Sequence, residues 1–144
     1  MVEMGHLSGQ VYHLPVRVYY EDTDQQGIVF YANYLKYFER GRTELLRHFG
    51  AAPAAVEADQ GRVFVVAHLD ISYRQSARLD EVLDVQTRLD HLGKVKIRMD
   101  QRIYRGDQLI TQAKVTVAIL DQAGRPARLN AALEQRFAAL LPVA

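Results

Sequence analysis

Cysteine is missing from this chain of 144 residues, and so is tryptophan. Without cysteine there is no disulfide, no thiolate metal site and no cysteine nucleophile. Neither sign of charge is in excess: the formal net charge is +1, which argues against a nucleic-acid partner. No apolar run approaches the ~20 residues that would span a bilayer, so no membrane insertion is expected. Met1 to Gln10 carries Glu3 and His6 and lacks the apolar centre of a secretory signal. These residues, 1–10, are expected to form a flexible tail, followed by a single domain over 11–144 in a cytoplasmic protein. Hydrophobic residues make up 49% and charged residues 24%, enough apolar side chain for a packed core. No internal repeat or low-complexity linker divides the chain.

Periodicity sets the fold class. From Val11 to Glu21, Leu14, Val16, Val18 and Tyr20 share one face, which predicts a strand with Pro15 at an edge or irregular position. Asn33 is the expected N-cap of a helix whose stripe is Tyr34, Phe38, Gly41, Leu45 and Phe49, widened by Leu35, Tyr37 and Leu46. Gly50 and Pro53 end it. Gly41 costs ~1 kcal/mol against alanine inside a helix, so its place on the buried stripe predicts close packing on something flat, such as a sheet. A second short helix is expected over Ala54 to Gln60, closed by Gly61.

Beyond Gly61 the period becomes two. Leu69, Ile71 and Tyr73 open the series, then Leu83, Val85, Thr87 and Leu89, then Val95, Ile97, Met99 and Ile103. Leu109, Ala113, Val115, Val117 and Ile119 complete it. Turn residues near 76–78, 92–93, 105–107 and 122–124 separate four antiparallel strands, and Ala131 to Leu141 fits a last helical turn or two. A helix with one apolar stripe and a sheet with one apolar face cover each other in an α+β arrangement, an antiparallel sheet wrapped around a long central helix. Long edge strands left by such a sheet would be covered by a second copy, so a homodimer or homotetramer is expected.

Between the first strand and the helix lie Glu21, Asp22 and Asp24, then Gly27. Asp22, Asp24, Gln26 and Gly27 match a calcium loop only loosely, since Gln26 is off-pattern and Asn33 stands where the bidentate Glu belongs. A solvated acidic turn capping the helix is the plainer alternative.

The run Arg17-Val18-Tyr19-Tyr20-Glu21-Asp22-Thr23-Asp24, then Gly27-Ile28-Val29-Phe30-Tyr31, Asn33-Tyr34 and Phe38 to Glu44, resembles the 4-hydroxybenzoyl-CoA thioesterase branch of the hotdog superfamily. A second run, Ile71-Ser72-Tyr73 to Ala77-Arg78-Leu79-Asp80-Glu81, matches as well. Within that branch the chain is most similar to the Tol–Pal-associated acyl-CoA thioesterases, over about Val11 to Leu129. The resemblance implies a hotdog fold and hydrolysis of an acyl-CoA thioester to a carboxylic acid and free CoA, without cofactor or metal. It places the catalytic carboxylate on Asp24, as nucleophile or as general base for water, held partly dry at the mouth of the central helix. It also implies an oxyanion donor in the backbone amide of Tyr31, with Gly27 shaping the turn and Ile28, Phe30 and Tyr34 lining the acyl pocket.

The chain departs from its Tol–Pal-associated relatives in carrying Tyr31 where they have His. Tyrosine, with an ordinary pKa of ~10, fits pocket lining or hydrogen bonding better than proton transfer. Gln25 and Gln26 replace the small residue that follows the family's aspartate.

CoA needs cations, and the candidates are Lys94, Lys96 and Arg98 on one strand start and Arg125 and Arg128 around Pro126, acting in part across a subunit interface. None of the five histidines has metal-like spacing to another, and Ser72 and Ser76 lack a nucleophile elbow. Two other readings remain open: a module binding acyl carrier protein or an envelope complex, and a hotdog hydratase or dehydratase.

Overall fold

The computed structural model describes residues 2–142. Met1 of the expected tail and Val143 and Ala144 of the expected domain lie outside them.

Nine elements follow in order: β1 (His6–Ser8), β2 (Val11–Arg17), α1 (Tyr34–His48), α2 (Pro53–Gln60), β3 (Val63–Tyr73), β4 (Val82–Leu92), β5 (Lys96–Arg105), β6 (Gln108–Leu120) and α3 (Ala131–Ala138). The six strands form one antiparallel sheet in the order β1-β2-β4-β5-β6-β3. With α1 lying along its apolar face, against β4 and β2 above all, this is the expected α+β hotdog arrangement.

The period of two decides what that face carries. Leu83, Val85, Thr87 and Leu89 of β4, and Ile97, Met99, Gln101 and Ile103 of β5, are all buried. Against them α1 sets Tyr34, Tyr37, Phe38, Gly41, Leu45 and Leu46, whereas Leu35 turns outward. Gly41 is where the helix comes closest. A Cβ there would stand 2.8 Å from Thr87 Oγ1, 3.0 Å from Val85 Cγ1 and 3.2 Å from Gln101 Nε2. Gln101 reinforces the seat from the sheet side: its Nε2 donates to Phe38 O and Thr87 Oγ1, both at 2.9 Å, and its Oε1 accepts from Arg42 at 3.0 Å.

Several expectations need correction. Residues 6–8 of the expected tail form β1, hydrogen-bonded to β2, because Tyr12 draws the segment in: its hydroxyl donates to Glu3 and accepts from Gly5 N. The first strand stops at Arg17 rather than running to Glu21; a 3-10 turn over Tyr20–Asp22 leaves Tyr20 82% exposed, and Tyr12 fills the inward position instead. Asn33 does stand at the N-cap position of α1, but its side chain makes no capping bond. A second 3-10 turn, Tyr31–Asn33, leads directly into α1, so Asn33 is already helical and its side chain donates to Asp22 O at 2.9 Å. Inward-pointing Leu109 gives way to Ile110, because the β5–β6 register slips between Ile103 and Tyr104. Pro15 does sit where β2 is an edge, since β1 covers only Val11 to His13.

Candidate active site

The acidic stretch folds as a tight hairpin placed between the end of β2 and the start of α1. Thr23 pairs with Val29, Asp24 N donates to Ile28 O at 2.9 Å, and Gly27 N donates to Asp24 O at 3.0 Å. Gly27 has φ +75°, a conformation that a side chain would strain. At the tip, Asp24 Oδ1 accepts from Gln26 N at 2.8 Å. One carboxylate oxygen is therefore pinned, and the rotamer is set by its own turn. Gln25 and Gln26 are exposed beside it, as is Asp24 itself in the single chain. The expected partial dryness is thus not supplied by this chain's own residues.

Asp22, two residues earlier, is the buried acid. Its Oδ2 accepts from Tyr19 N at 2.9 Å, and its carbonyl accepts from both Phe30 N and the Asn33 side chain, each at 2.9 Å. That single residue ties both arms of the Asp24 hairpin to the beginning of α1. The Tyr37 hydroxyl is buried close by without a hydrogen-bond partner; burial first, then the Asp22 carboxylate, push it well above the ordinary tyrosine range. Nothing in the local sequence separates Asp22 from Asp24; only the backbone path around them does.

Tyr31 opens the helical run at residue 31, so its N–H has no acceptor inside the helix and takes none elsewhere among the described residues. A free amide at a helix start is the feature an oxyanion needs. The Tyr31 ring is 62% exposed. It packs edge-on against Tyr73 with centroids 6.0 Å apart and against Phe30 at 4.9 Å. Tyr34 is buried beneath this group, 5.8 Å from the Tyr73 ring, and its hydroxyl accepts from Ala77 N at 3.0 Å. Burial raises its pKa. Tyr34 is therefore a brace under the aromatic group, with its polar end already used, while Ile28 and Phe30 remain partly open.

The hairpin's other neighbour is the segment between β3 and β4. Val29 N donates to Ala77 O at 2.9 Å, Leu79 N to Gly27 O at 3.3 Å, and Ile28 pairs with Arg78. The second matching sequence run and the first therefore meet in space.

The five cations assigned to CoA do not meet them. β4 begins at Val82, paired with Arg17 next to the hairpin, and runs away from it to Leu92. Lys94, Lys96 and Arg98 follow at that distal end, roughly 30 Å from the hairpin at ~3.3 Å per residue. Arg125 and Arg128 follow β6, whose last residue pairs with Val63 at the same end. Arg98 is held by Asp90 at 3.0 Å, Arg125 by Asp121 at 3.4 Å and Arg128 by Glu134 at 2.8 Å. Lys94 and Lys96 are exposed. Arg74, Arg78 and Arg105 lie nearer the site, a placement set by which strand ends share a side of the sheet and so carrying no signal in the sequence.

Residues 26–112 match the family described as Thioesterase superfamily.

The chain belongs to the thioesterase superfamily.

Two similar members of the thioesterase superfamily are the acyl-CoA thioesterase YbgC of Haemophilus influenzae and the acyl-CoA thioester hydrolase YbgC of Escherichia coli. The first is 41% identical over 110 residues, 76% of this chain and 81% of that protein. The second is 38% identical over 112 residues, 77% of this chain and 83% of that protein. Among solved structures, a probable thioesterase from Bartonella henselae superposes with a TM-score of 0.79 at 35% identity, covering 83% of this chain and 99% of that one. A Thermus thermophilus thioesterase complexed with coenzyme A and zinc gives 0.78 at 26% identity, covering 93% and 97%. The family match begins two residues after Asp24, within the hairpin, and runs through the helix and most of the sheet.

Proposed function

We propose that this protein hydrolyses acyl-CoA thioesters, with Asp24 acting on the thioester carbonyl and the Tyr31 N–H receiving the oxyanion. The relatives named above support the reaction class, and the geometry supports the roles. The thioester carbonyl carbon is attacked either by water, which gives its proton to Asp24, or by the Asp24 carboxylate itself, forming an anhydride that water then cleaves. In both routes the carbonyl oxygen becomes negative and the C–S bond breaks. The thiolate leaves as free CoA after protonation. Both routes need one free carboxylate oxygen with a fixed orientation, which the Gln26 N to Asp24 Oδ1 hydrogen bond supports. Phe30, Tyr31 and Ile28 form the acyl-side wall, which suits short-chain or aromatic acyl groups. An acyl carrier protein thioester would present the same carbonyl.

The observation that carries this reading is the unpartnered Tyr31 amide at the base of the hairpin whose tip bears Asp24, a carboxylate whose rotamer its own turn sets. Its test is thiol release from a panel of acyl-CoA thioesters by the wild type and Asp24→Asn. Asparagine keeps the acceptor for Gln26 N, so the hairpin survives, while turnover falls by about 10²- to 10⁴-fold. Full activity in Asp24→Asn would remove this residue from the mechanism.

A second copy completes the site in this reading. Asp24 is exposed in one chain, and β3 presents an unpaired edge carrying Val65, Val66 and Tyr73 at 44%, 47% and 44% exposure. Long apolar edges of this kind are normally covered.

A further inference from the structure

We infer that Arg74 and Arg78 form the anion site of this chain's own hairpin and hold the diphosphate of the CoA substrate. The inference deepens the thioesterase reading and rests on it for its kinetic test. Three observations bring the two guanidinium groups to that role.

The first is position. Arg78 pairs directly with Ile28 on the Asp24 hairpin, flanked by the Val29 N to Ala77 O and Leu79 N to Gly27 O hydrogen bonds. Arg74 follows Tyr73, whose ring packs against Tyr31 and Tyr34. Both are therefore attached by one residue to the walls of the candidate site.

The second is availability. Among the described residues neither side chain makes an ion pair or a hydrogen bond, and both are exposed. Arg98, Arg125 and Arg128 are instead bound to carboxylates at the distal end of the sheet. Glu81, the carboxylate beside the two free arginines, is already occupied. Its Oε1 accepts from Arg105 at 2.9 Å and from Arg78 N at 2.6 Å.

The third is a prepared groove. Tyr73, Arg74, Gln75, Ser76, Arg78 and Arg105 line an open polar hollow of about 550 Å³. Arg105 is fixed in its wall by Glu81 and by Ser76 O at 3.0 Å. The backbone beneath Arg74 is fixed as well, since Arg74 N and Gln75 N both donate to Ile110 O. A rigid floor with two unpaired guanidinium forks suits bidentate contact to phosphate oxygens. An anchored pantetheine arm would then extend from this groove past the Tyr73–Tyr31 wall toward Asp24.

The experiment compares wild type with the Arg74→Ala/Arg78→Ala double variant on two substrates with the same acyl group, one a CoA thioester and one an N-acetylcysteamine thioester, which has no phosphate. The expected result is a KM for the CoA thioester raised about ten-fold or more, the loss of at least one charge-assisted contact. kcat should stay within about two-fold, and kcat/KM for the truncated substrate should not change. Free CoA binding, followed by calorimetry, should weaken by the same factor and become less dependent on salt. Unchanged KM and CoA affinity would overturn the assignment, and so would an equal loss on both substrates, which would mark the arginines as structural. Absence of hydrolysis by the wild type on either substrate would instead strike the thioesterase reading, leaving the calorimetric arm to judge the groove alone.

Discussion

Replacing Gly41 by alanine tests how the central helix is seated. In an exposed helix the change would stabilise by ~1 kcal/mol, because alanine is the better helix former. Here the new methyl would lie 2.8 Å from Thr87 Oγ1 and 3.0 Å from Val85 Cγ1, and Gln101 Nε2 stands at 3.2 Å. All three residues are fully buried, and Thr87 and Gln101 are hydrogen-bonded to each other. Neither can withdraw without giving up that bond or the one from Gln101 to Phe38 O. Overpacking of this kind costs about 1–3 kcal/mol, and an unsatisfied buried polar group about as much again. Set against the helix-propensity gain, the net expectation is a loss of about 1–5 kcal/mol, or roughly 3–20 °C in Tm for a chain of this size. Urea titration followed by circular dichroism, at matched protein concentration because an oligomer's stability depends on it, reads the difference. A Gly41→Ala protein as stable as the wild type, or more so, would refute the close-approach argument.

Alkali should weaken the fold. Burial, aided by Glu3, pushes Tyr12 up to about 12, and burial also raises Tyr34 and Tyr37. Lys114 is raised by its hydrogen bond to Asp90. Groups raised in the folded state stabilise it fully below their unfolded values, ~10 for tyrosine, and that stability is lost as pH rises through the folded values. The urea midpoint should therefore fall steadily between about pH 9 and pH 12; a flat midpoint would contradict it. At the β3 edge, Val66→Asp should shift sedimentation at micromolar concentration toward the monomer and depress turnover with it. A monomeric wild type, or a monomeric Val66→Asp that keeps full turnover, would remove the second copy from the site.

The sequence was most legible where a period is enforced by one buried face. β4 is read correctly at every inward position and β5 at Ile97, Met99 and Ile103, because shifting either by one position would bury Asp84 or Arg98 and expose Leu83 or Ile97; the buried Asp100 and Gln101 of β5 escaped the pattern because polar residues do not announce burial. Gly41 was legible for a related reason, an unfavourable residue on a buried stripe having to serve a close contact. Errors cluster where a local irregularity breaks the period. The slip between Ile103 and Tyr104 turns Ile110 inward in place of Leu109. The 3-10 turn ahead of α1 gives Asn33 helical angles, so it holds the N-cap position without its side chain capping the helix. Within the site, the residues around Asp24 could be named from the resemblance, but the burial of Asp22 and the exposure of Asp24 depend on which backbone amides face each carboxylate. The cations were least legible. Lys96 and Arg78 look alike in sequence, and only the strand order reveals that one lies at the distal end of β4 and the other against Ile28.

That difference in placement bears on how a site with an exposed carboxylate could work. An aspartate in bulk water is a weak base and a poor nucleophile, so the proposed chemistry needs a surface that excludes water from Asp24 and strengthens the field of the Tyr31 amide. This chain offers its own aromatic wall on one side only. β3 runs from Val63, beside the distal end of the sheet, to Tyr73, beside the hairpin. Pairing two β3 edges antiparallel about a two-fold axis would lay the distal end of each chain alongside the hairpin of the other. Lys94, Lys96 and the residues around Arg125 would then approach a partner's Asp24, although they lie roughly 30 Å from their own at ~3.3 Å per residue. Under that geometry the in-cis arginines and the in-trans lysines act on different parts of one nucleotide. Their losses should then add in CoA affinity, because groups that are distant from each other and contact different phosphates contribute nearly independently. Mixing a dead Asp24→Asn protomer with an Arg74→Ala/Arg78→Ala protomer separates the two. Hybrids should recover no CoA affinity at the surviving Asp24 if the arginines serve their own hairpin, and should recover it if they serve the neighbour's.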